Sequence, residues 1–253
     1  MIAFTEESVF KYFIERFDIS NKKILEVGGA ISHNYLFQNT NIDEWVSIDP
    51  ANEEEHSVCN RYKKHRKECI DYSKNEYFDF IFSANAFEHI NNFRESLSVM
   101  YDNLKKGGVL FAHFGPIWSA PDGHHLSNII LKDGTEVNFW INNPLPKWFH
   151  LLYKKSEMHD TLLNYYEEDD VNTIISYIFY DSYLNRLTFK DYISCFIDSG
   201  FNIEEIRIAD EIDYDFNPVV PALNTDEEAK RRLISKYGNN CYECRDMLVV
   251  LKK

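Results

Sequence analysis

The chain has 253 residues, 44% of them hydrophobic, and a formal charge of −14, so it can bury a full core in one large domain. That charge argues against a broad nucleic-acid footprint, which needs clustered Lys and Arg to release counterions. No apolar run approaches the ~18 residues that span a bilayer, and the first twenty residues are acidic and amphipathic rather than signal-like. The expectation is a cytoplasmic protein with small-molecule partners, no nucleic acid and no membrane. Cys59, Cys69, Cys195, Cys241 and Cys244 are an odd set that makes no disulfide framework, and reduced thiols are expected.

Residues 5–17 place Val9, Phe10, Phe13, Ile14 and Phe17 on one helical face, which predicts a docking helix. ILEV (24–27) reads as a strand, HNYLFQN (33–39) as a helix and WVSID (45–49) as a second strand ending in an acid, a β-α-β unit. FDFIFSAN (78–85) is another buried strand, and Asn92 with Glu95 forms a helix-opening signature. That helix runs to Leu104, where Lys105-Lys106-Gly107-Gly108 closes it, and VLFAHF (109–114) is a further apolar strand. Such alternation, with strands apolar throughout, predicts an α/β fold with a parallel sheet covered on both faces.

From Pro116 to about Leu187 the alternation stops, and Trp, Tyr, His and Asn dominate. This reads as an inserted substrate-binding lid, residues 117–187, within a single domain of 1–253. Thr188-x-x-Asp191 opens a helix that ends near Gly200, FNIEEIRIA (201–209) is a strand, Thr225-x-x-Glu228 caps a helix, and RDMLVVLK (245–252) is a last strand. The final strand, helix and strand suit an antiparallel closing pair.

The first strand runs into Gly28-Gly29. In an open parallel sheet, ligands bind beyond the carboxyl ends of the strands, where the first strand-to-helix turn brings backbone N–H groups close. Glycines there remove the Cβ that would block the approach. Asp49 lies at the end of the second strand, where a carboxylate can accept two hydrogen bonds from ribose hydroxyls. The spacing suits an adenosine-containing cofactor.

The ordered series ILEVGG, WVSIDP, FDFIFSANAFEHI and LKKGGVLFAHFGP, over residues 22–116, resembles the motif set of class I S-adenosylmethionine-dependent methyltransferases. The resemblance implies a Rossmann-like fold with a mostly parallel seven-stranded sheet and an antiparallel C-terminal strand. It implies S-adenosyl-L-methionine as cofactor and S-adenosyl-L-homocysteine as product. By the same resemblance Glu26 opens the first motif, Gly28 and Gly29 flank the methionine moiety and Asp49 holds the ribose. Asp71, in ECIDYS, would lie near the adenine, and Asn85 would line the pocket. The family often shows acid-x-Gly-x-Gly-x-Gly, whereas this chain has Ala30 and Ser32 at the later glycine positions. That change is the only support for a non-catalytic relative that binds a partner. A nicotinamide oxidoreductase wants Gly-x-Gly-x-x-Gly, and that register falls on Gly28, Ala30 and His33.

HFGPIWSAPDGHHLS (113–127) concentrates His113, Trp118, His124 and His125 after the fifth strand. The segment resembles methyltransferases of bacterial capsule and surface-polysaccharide gene clusters, which methylate sugars or build the methyl phosphoramidate decoration. The resemblance implies a sugar, phosphate or phosphoramidate acceptor, with Trp118 and His124 as substrate-binding candidates. A neutral hydroxyl acceptor needs a base, and histidine takes a proton near neutral pH. His125 is the first candidate, His124 the second and His113 the third. An anionic acceptor needs none; the histidines would then orient it, helped by Lys147, Lys154, Lys155 or Arg186.

Adjacent histidines diverge on most backbones, so no metal is expected. Cys241-x-x-Cys244 lacks the second pair of a zinc site, and the acidic runs at 167–170 and 226–228 read as helix-starting charge. Most of Trp140, Trp148, Phe149, Tyr153, Tyr165 and Tyr166 read as lid core.

Overall fold

The computed structural model describes residues 5–253 except 30, 54–55, 142, 211 and 213–217. Helix α1 (Glu6–Arg16) starts at Thr5, whose hydroxyl accepts the Ser8 N–H at 3.2 Å, and it buries Val9, Phe10 and Phe13. β1 (Lys23–Val27), α2 (His33–Asn39) and β2 (Glu44–Ile48) form the β-α-β unit that the periodicity predicts. A hairpin of β3 (His56–Cys59) and β4 (Tyr62–His65) follows. Its four-residue strands are too short for alternation to announce them.

β5 (Phe78–Ala84), α3 (Phe93–Asn103) and β6 (Leu104–Phe114) continue the pattern with two corrections. The Asn92 side chain makes no capping bond, and a 3-10 turn (Phe87–His89) precedes α3. Lys105 to Gly108 belong to a strand, not to a helix stop. The Gly107 N–H donates to the Lys253 carbonyl at 2.9 Å, the Lys253 N–H donates to the Gly108 carbonyl at 3.0 Å, and Gly107 bends the strand at φ +77°.

The rest of the chain contains β7 (Ile129–Ile130), β8 (Glu136–Val137), α4 (Phe149–Leu152), α5 (Lys155–Leu162) and α6 (Glu168–Phe179). It ends with α7 (Phe189–Asp198), β9 (Asn202–Ala209), α8 (Asp226–Tyr237) and β10 (Asp246–Lys252). The main sheet has the order β3-β4-β2-β1-β5-β6-β10-β9. The strands from β4 through β6 pair in parallel, and β10 runs antiparallel to both neighbours. This is the expected seven-stranded Rossmann-like sheet, with β3 added antiparallel at one edge.

Contacts divide the chain into two compact units. The first is Met1–Gly115 with Asp191–Ala209 and Asp246–Lys253, and it holds the main sheet. Its core on the α1 side is aromatic: Phe10 meets Trp45 edge-on at 5.5 Å, and Phe13 lies 5.3 Å from both Phe82 and Phe111. Each such burial is worth about 1.5–3 kcal/mol, which secures α1 against the sheet.

The second unit is Pro116–Lys190 with Asp210–Arg245. α6 places Val171, Ile174, Ile175 and Ile178 on one face and buries them with Leu126, Phe149, Met158 and Leu162. Glu168, Asp169 and Asp170 occupy its first turn, as the acidic run predicts. A second cluster joins Trp148, Leu151 and Leu152 to Ala229, Leu233 and Tyr242. Trp118 packs against both clusters. Trp148 and Phe149 are core residues as expected, whereas Trp140 and Tyr165 are exposed.

Candidate functional site

In the first unit, the turn after β1 is held from several directions. The Gly28 N–H donates to the Ile48 carbonyl at 2.9 Å, and the Gly29 N–H donates to Asp49 Oδ2 at 2.9 Å. The Ser47 hydroxyl donates to the Gly29 carbonyl at 2.6 Å, and the Tyr62 hydroxyl donates to the Ile31 carbonyl at 2.8 Å. Both glycines sit in the left-handed region, at φ +69° and +136°. A Cβ at Gly28 would collide with the Cβ of Ala86, the second residue after β5. The turn therefore requires glycine for packing as well as for conformation.

Glu26 is buried beneath this turn. Its Oε1 accepts the Ile31 N–H at 3.1 Å and its Oε2 accepts the Trp45 Nε1–H at 2.8 Å. Burial, opposed by these bonds and reinforced by the negative charge of Glu6, raises its pKa to about 7. Glu26 thus braces the turn from below. Ser32 is the N-cap of α2, accepting the Tyr35 N–H at 3.3 Å, so this departure from the glycine pattern serves the helix. Ala30 lies outside the described residues.

Asp49 follows β2 directly; its Oδ1 accepts the Ala51 N–H at 2.6 Å. A carboxylate offers about four acceptor positions, so two protein bonds leave room for ligand hydroxyls. Asn85 follows β5 at φ +51°, its N–H on the His113 carbonyl at 2.8 Å. Gly28, Gly29, Asp49 and Asn85 each follow the carboxyl end of one of the neighbouring strands β1, β2 and β5. Asp71 sits apart in secondary structure, exposed at the end of a 3-10 turn (Cys69–Asp71). Glu88 is a buried acid that the sequence reading passes over. Its Oε1 accepts the Gly115 N–H at 3.2 Å and lies 3.9 Å from His89 Nε2.

His113 is buried in β6. In the second unit, the PDGHH turn is built around a buried ion pair, Arg245 Nε to Asp122 Oδ2 at 2.9 Å. A Cβ at Gly123 would run into the carbonyls of Ile117 and Trp118. His125 holds φ +53°, rare for a non-glycine residue. His124 is wholly enclosed: its Nδ1 accepts the Leu126 N–H at 3.2 Å, its ring lies 5.6 Å from that of His150, and burial depresses its pKa to about 3. Trp118 meets the His150 ring at 4.6 Å. Among the cationic candidates, Arg186 spends its guanidinium on the carbonyls of Ile178, Leu184 and Asp181. Lys147 pairs with Asp226 at 2.6 Å, and Lys155 lies over the Tyr180 ring at 3.9 Å.

The methyltransferase-domain family matches residues 4–176, and the chain belongs to it. It is a class I S-adenosylmethionine-dependent methyltransferase. Among curated proteins none matches the chain significantly. Solved structures share the fold. A Listeria monocytogenes protein assigned as an S-adenosylmethionine-dependent methyltransferase has 13% identity and a TM-score of 0.53, with 98% of this chain and 99% of that chain covered. A methyltransferase of Archaeoglobus fulgidus has 15% identity and a TM-score of 0.51, with 98% and 92% covered. The residues present fit the cofactor: a turn without Cβ atoms ends β1, and a half-buried carboxylate with spare lone pairs ends β2. No helix among the described residues is long and apolar enough to cross a membrane.

Proposed function

We propose that this methyltransferase acts on an oxygen of a small molecule, a sugar or a phosphate or phosphoramidate intermediate of capsular or surface polysaccharide synthesis. Bound S-adenosylmethionine supplies an electrophilic methyl group on a sulfonium sulfur. Gly28 and Gly29 give the donor close access to the backbone, Asp49 accepts from its ribose hydroxyls, and Asn85 lines the same crevice. Asp71 is retained as the adenine-side acid on the family resemblance alone. The protein's remaining tasks are to hold the acceptor oxygen, exclude water and remove a proton if the acceptor is a hydroxyl.

The observation that carries the acceptor reading is the PDGHH turn. An unusual backbone at His125, a buried ion pair at Asp122 and a glycine with no space for a Cβ constrain two histidines in one short segment. Such constraint clusters at functional positions. His125 is the proposed base. His124 is uncharged at neutral pH and enclosed, so its role in this reading is to support its neighbour, and His113 stays the third candidate. The net charge of −14 favours small acceptors over nucleic acid.

The test is turnover of labelled S-adenosylmethionine against nucleotide-linked sugars and phosphoramidate compounds, for the native enzyme and His125→Ala. With a hydroxyl acceptor, the substitution is expected to lower kcat by about 10²-fold or more and to change the acceptor KM much less. An unchanged kcat contradicts the base role. An anionic acceptor with a flat pH profile assigns the histidines to orientation instead.

A further inference from the structure

The family places an acid in the first motif, and this chain adds another from a different element. Glu6 lies in the first turn of α1, yet it is not the helix cap, because Thr5 fills that position. Its neighbour Glu7 is exposed, whereas Glu6 is half-buried. A Cβ built on Gly29 would lie 3.2 Å from Glu6 Oε1 and 3.3 Å from Glu26 Oε1. Two carboxylates from separate parts of the fold thus converge on the bare face of one glycine in the turn after β1.

Both contribute to the electrostatics there. Glu6 raises the pKa of Glu26, and after burial the charges of Glu26 and Glu6 raise that of Tyr62. Trp45 Nε1 and the Ile31 N–H, which donate to Glu26, are neutral and bring no positive charge to it. Like charges brought together at low dielectric repel, and a cation between them relieves the repulsion. The donor of this family carries such a cation, the α-ammonium of its methionine portion.

We infer that Glu6 is a donor-binding residue, which with Glu26 receives the α-ammonium group of the cofactor at Gly29. The inference rests on the donor site assigned above and adds a contact from α1. α1 then has a second task beyond its aromatic packing. The same pair repels a carboxylate, so it sets the orientation of the amino-acid end, ammonium toward Gly29 and carboxylate away from it.

The test is calorimetric binding of S-adenosylhomocysteine and of its analogue lacking only the α-amino group, to the native protein, Glu6→Gln and Glu7→Gln. Glu6→Gln is expected to weaken S-adenosylhomocysteine about tenfold or more, to leave the deaminated analogue within about twofold, and to erase most of the preference between them. Glu7→Gln is expected to change neither. Equal weakening of both ligands by Glu6→Gln, or no change in either, overturns the inference while the donor site stands. Failure of the native protein to bind S-adenosylhomocysteine overturns both. Far-ultraviolet circular dichroism of Glu6→Gln separates a lost contact from a lost helix.

Discussion

Asp49 Oδ2 accepts the Gly29 N–H at 2.9 Å, so one carboxylate at the end of β2 fixes the turn at the end of β1. The contact joins two neighbouring parallel strands where a nucleoside would meet both. Asp49→Ala removes an anchor of the turn together with the proposed ribose acceptor. Charge-assisted bonds are worth about 1.5–3 kcal/mol each. Affinity for S-adenosylhomocysteine is therefore expected to fall about 10–100-fold, measured by calorimetry. Asp49→Asn keeps an acceptor and should lose less.

Gly28 and Ala86 are expected to be coupled. Gly28→Ala forces a side chain into the left-handed region, at about 1–2 kcal/mol, and drives its Cβ into that of Ala86. Urea denaturation should show a loss above about 2 kcal/mol. Ala86→Gly in the same chain removes the collision but not the backbone strain, so the double variant should recover only part of the loss. Simple additivity would show that the two side chains never meet.

Glu26 should give the first unit an acid-favouring stability. Its folded pKa, about 7, stands above its ordinary value of 4.5. Between these values the folded state holds a proton that the unfolded state has released, so stability falls as pH rises from 4.5 through 7. Glu26→Gln lacks the titration. The stability of the native protein relative to this variant should be greater at pH 5 than at pH 8 by about 2–3 kcal/mol, read from paired denaturation curves. A constant difference would mean that Glu26 titrates normally.

His124 and His150 should act in the opposite sense in the second unit. Both are buried with pKa values lowered to about 3 by burial, and His124 further disfavours charge on His150. Below pH 6.5 the unfolded chain takes protons that the folded unit refuses, so stability is full above about 6.5 and is lost as pH falls toward 3. The His150 Nε2 to Trp118 carbonyl bond, 2.9 Å long, can be kept by a side-chain amide. His150→Gln should therefore blunt the acid sensitivity, and hydrogen exchange at α4 and α6 between pH 4 and 7 would register it. Identical acid profiles for the two proteins would remove His150 from the account.

Much of the first unit was legible in sequence because its strands are continuous apolar runs and its helices carry 3.6-residue stripes. ILEV, WVSI and FDFIFSA mark their own boundaries to within a residue or two, and the β10 strand DMLVVLK reads the same way. The β3–β4 hairpin was not legible, since YKKH has no alternation to read. The glycines after α3 mislead for a physical reason: Gly107 and Gly108 satisfy strand partners, the carbonyl and amide of Lys253, that lie far along the chain. The positions after β1 and β2 are read from strand ends, whereas Asn85 after β5 comes from the family resemblance. What periodicity could not foresee was depth. His124 and His125 are neighbours in sequence and both are buried, yet only the fold shows that His125 takes a left-handed backbone while the His124 imidazole is held neutral by burial.

β10 lies between β6 and β9 although it follows both in sequence. During synthesis, then, a long apolar strand and its later companion emerge with facing edges and nothing to zip them together. Each is an open template for another nascent chain until residues 246–252 clear the ribosome. The half of the sheet that would carry the donor can assemble early, but closure waits for a segment more than 130 residues downstream of β6. Chaperone demand and aggregation risk should therefore concentrate in that interval, and slow translation through α8 would lengthen it.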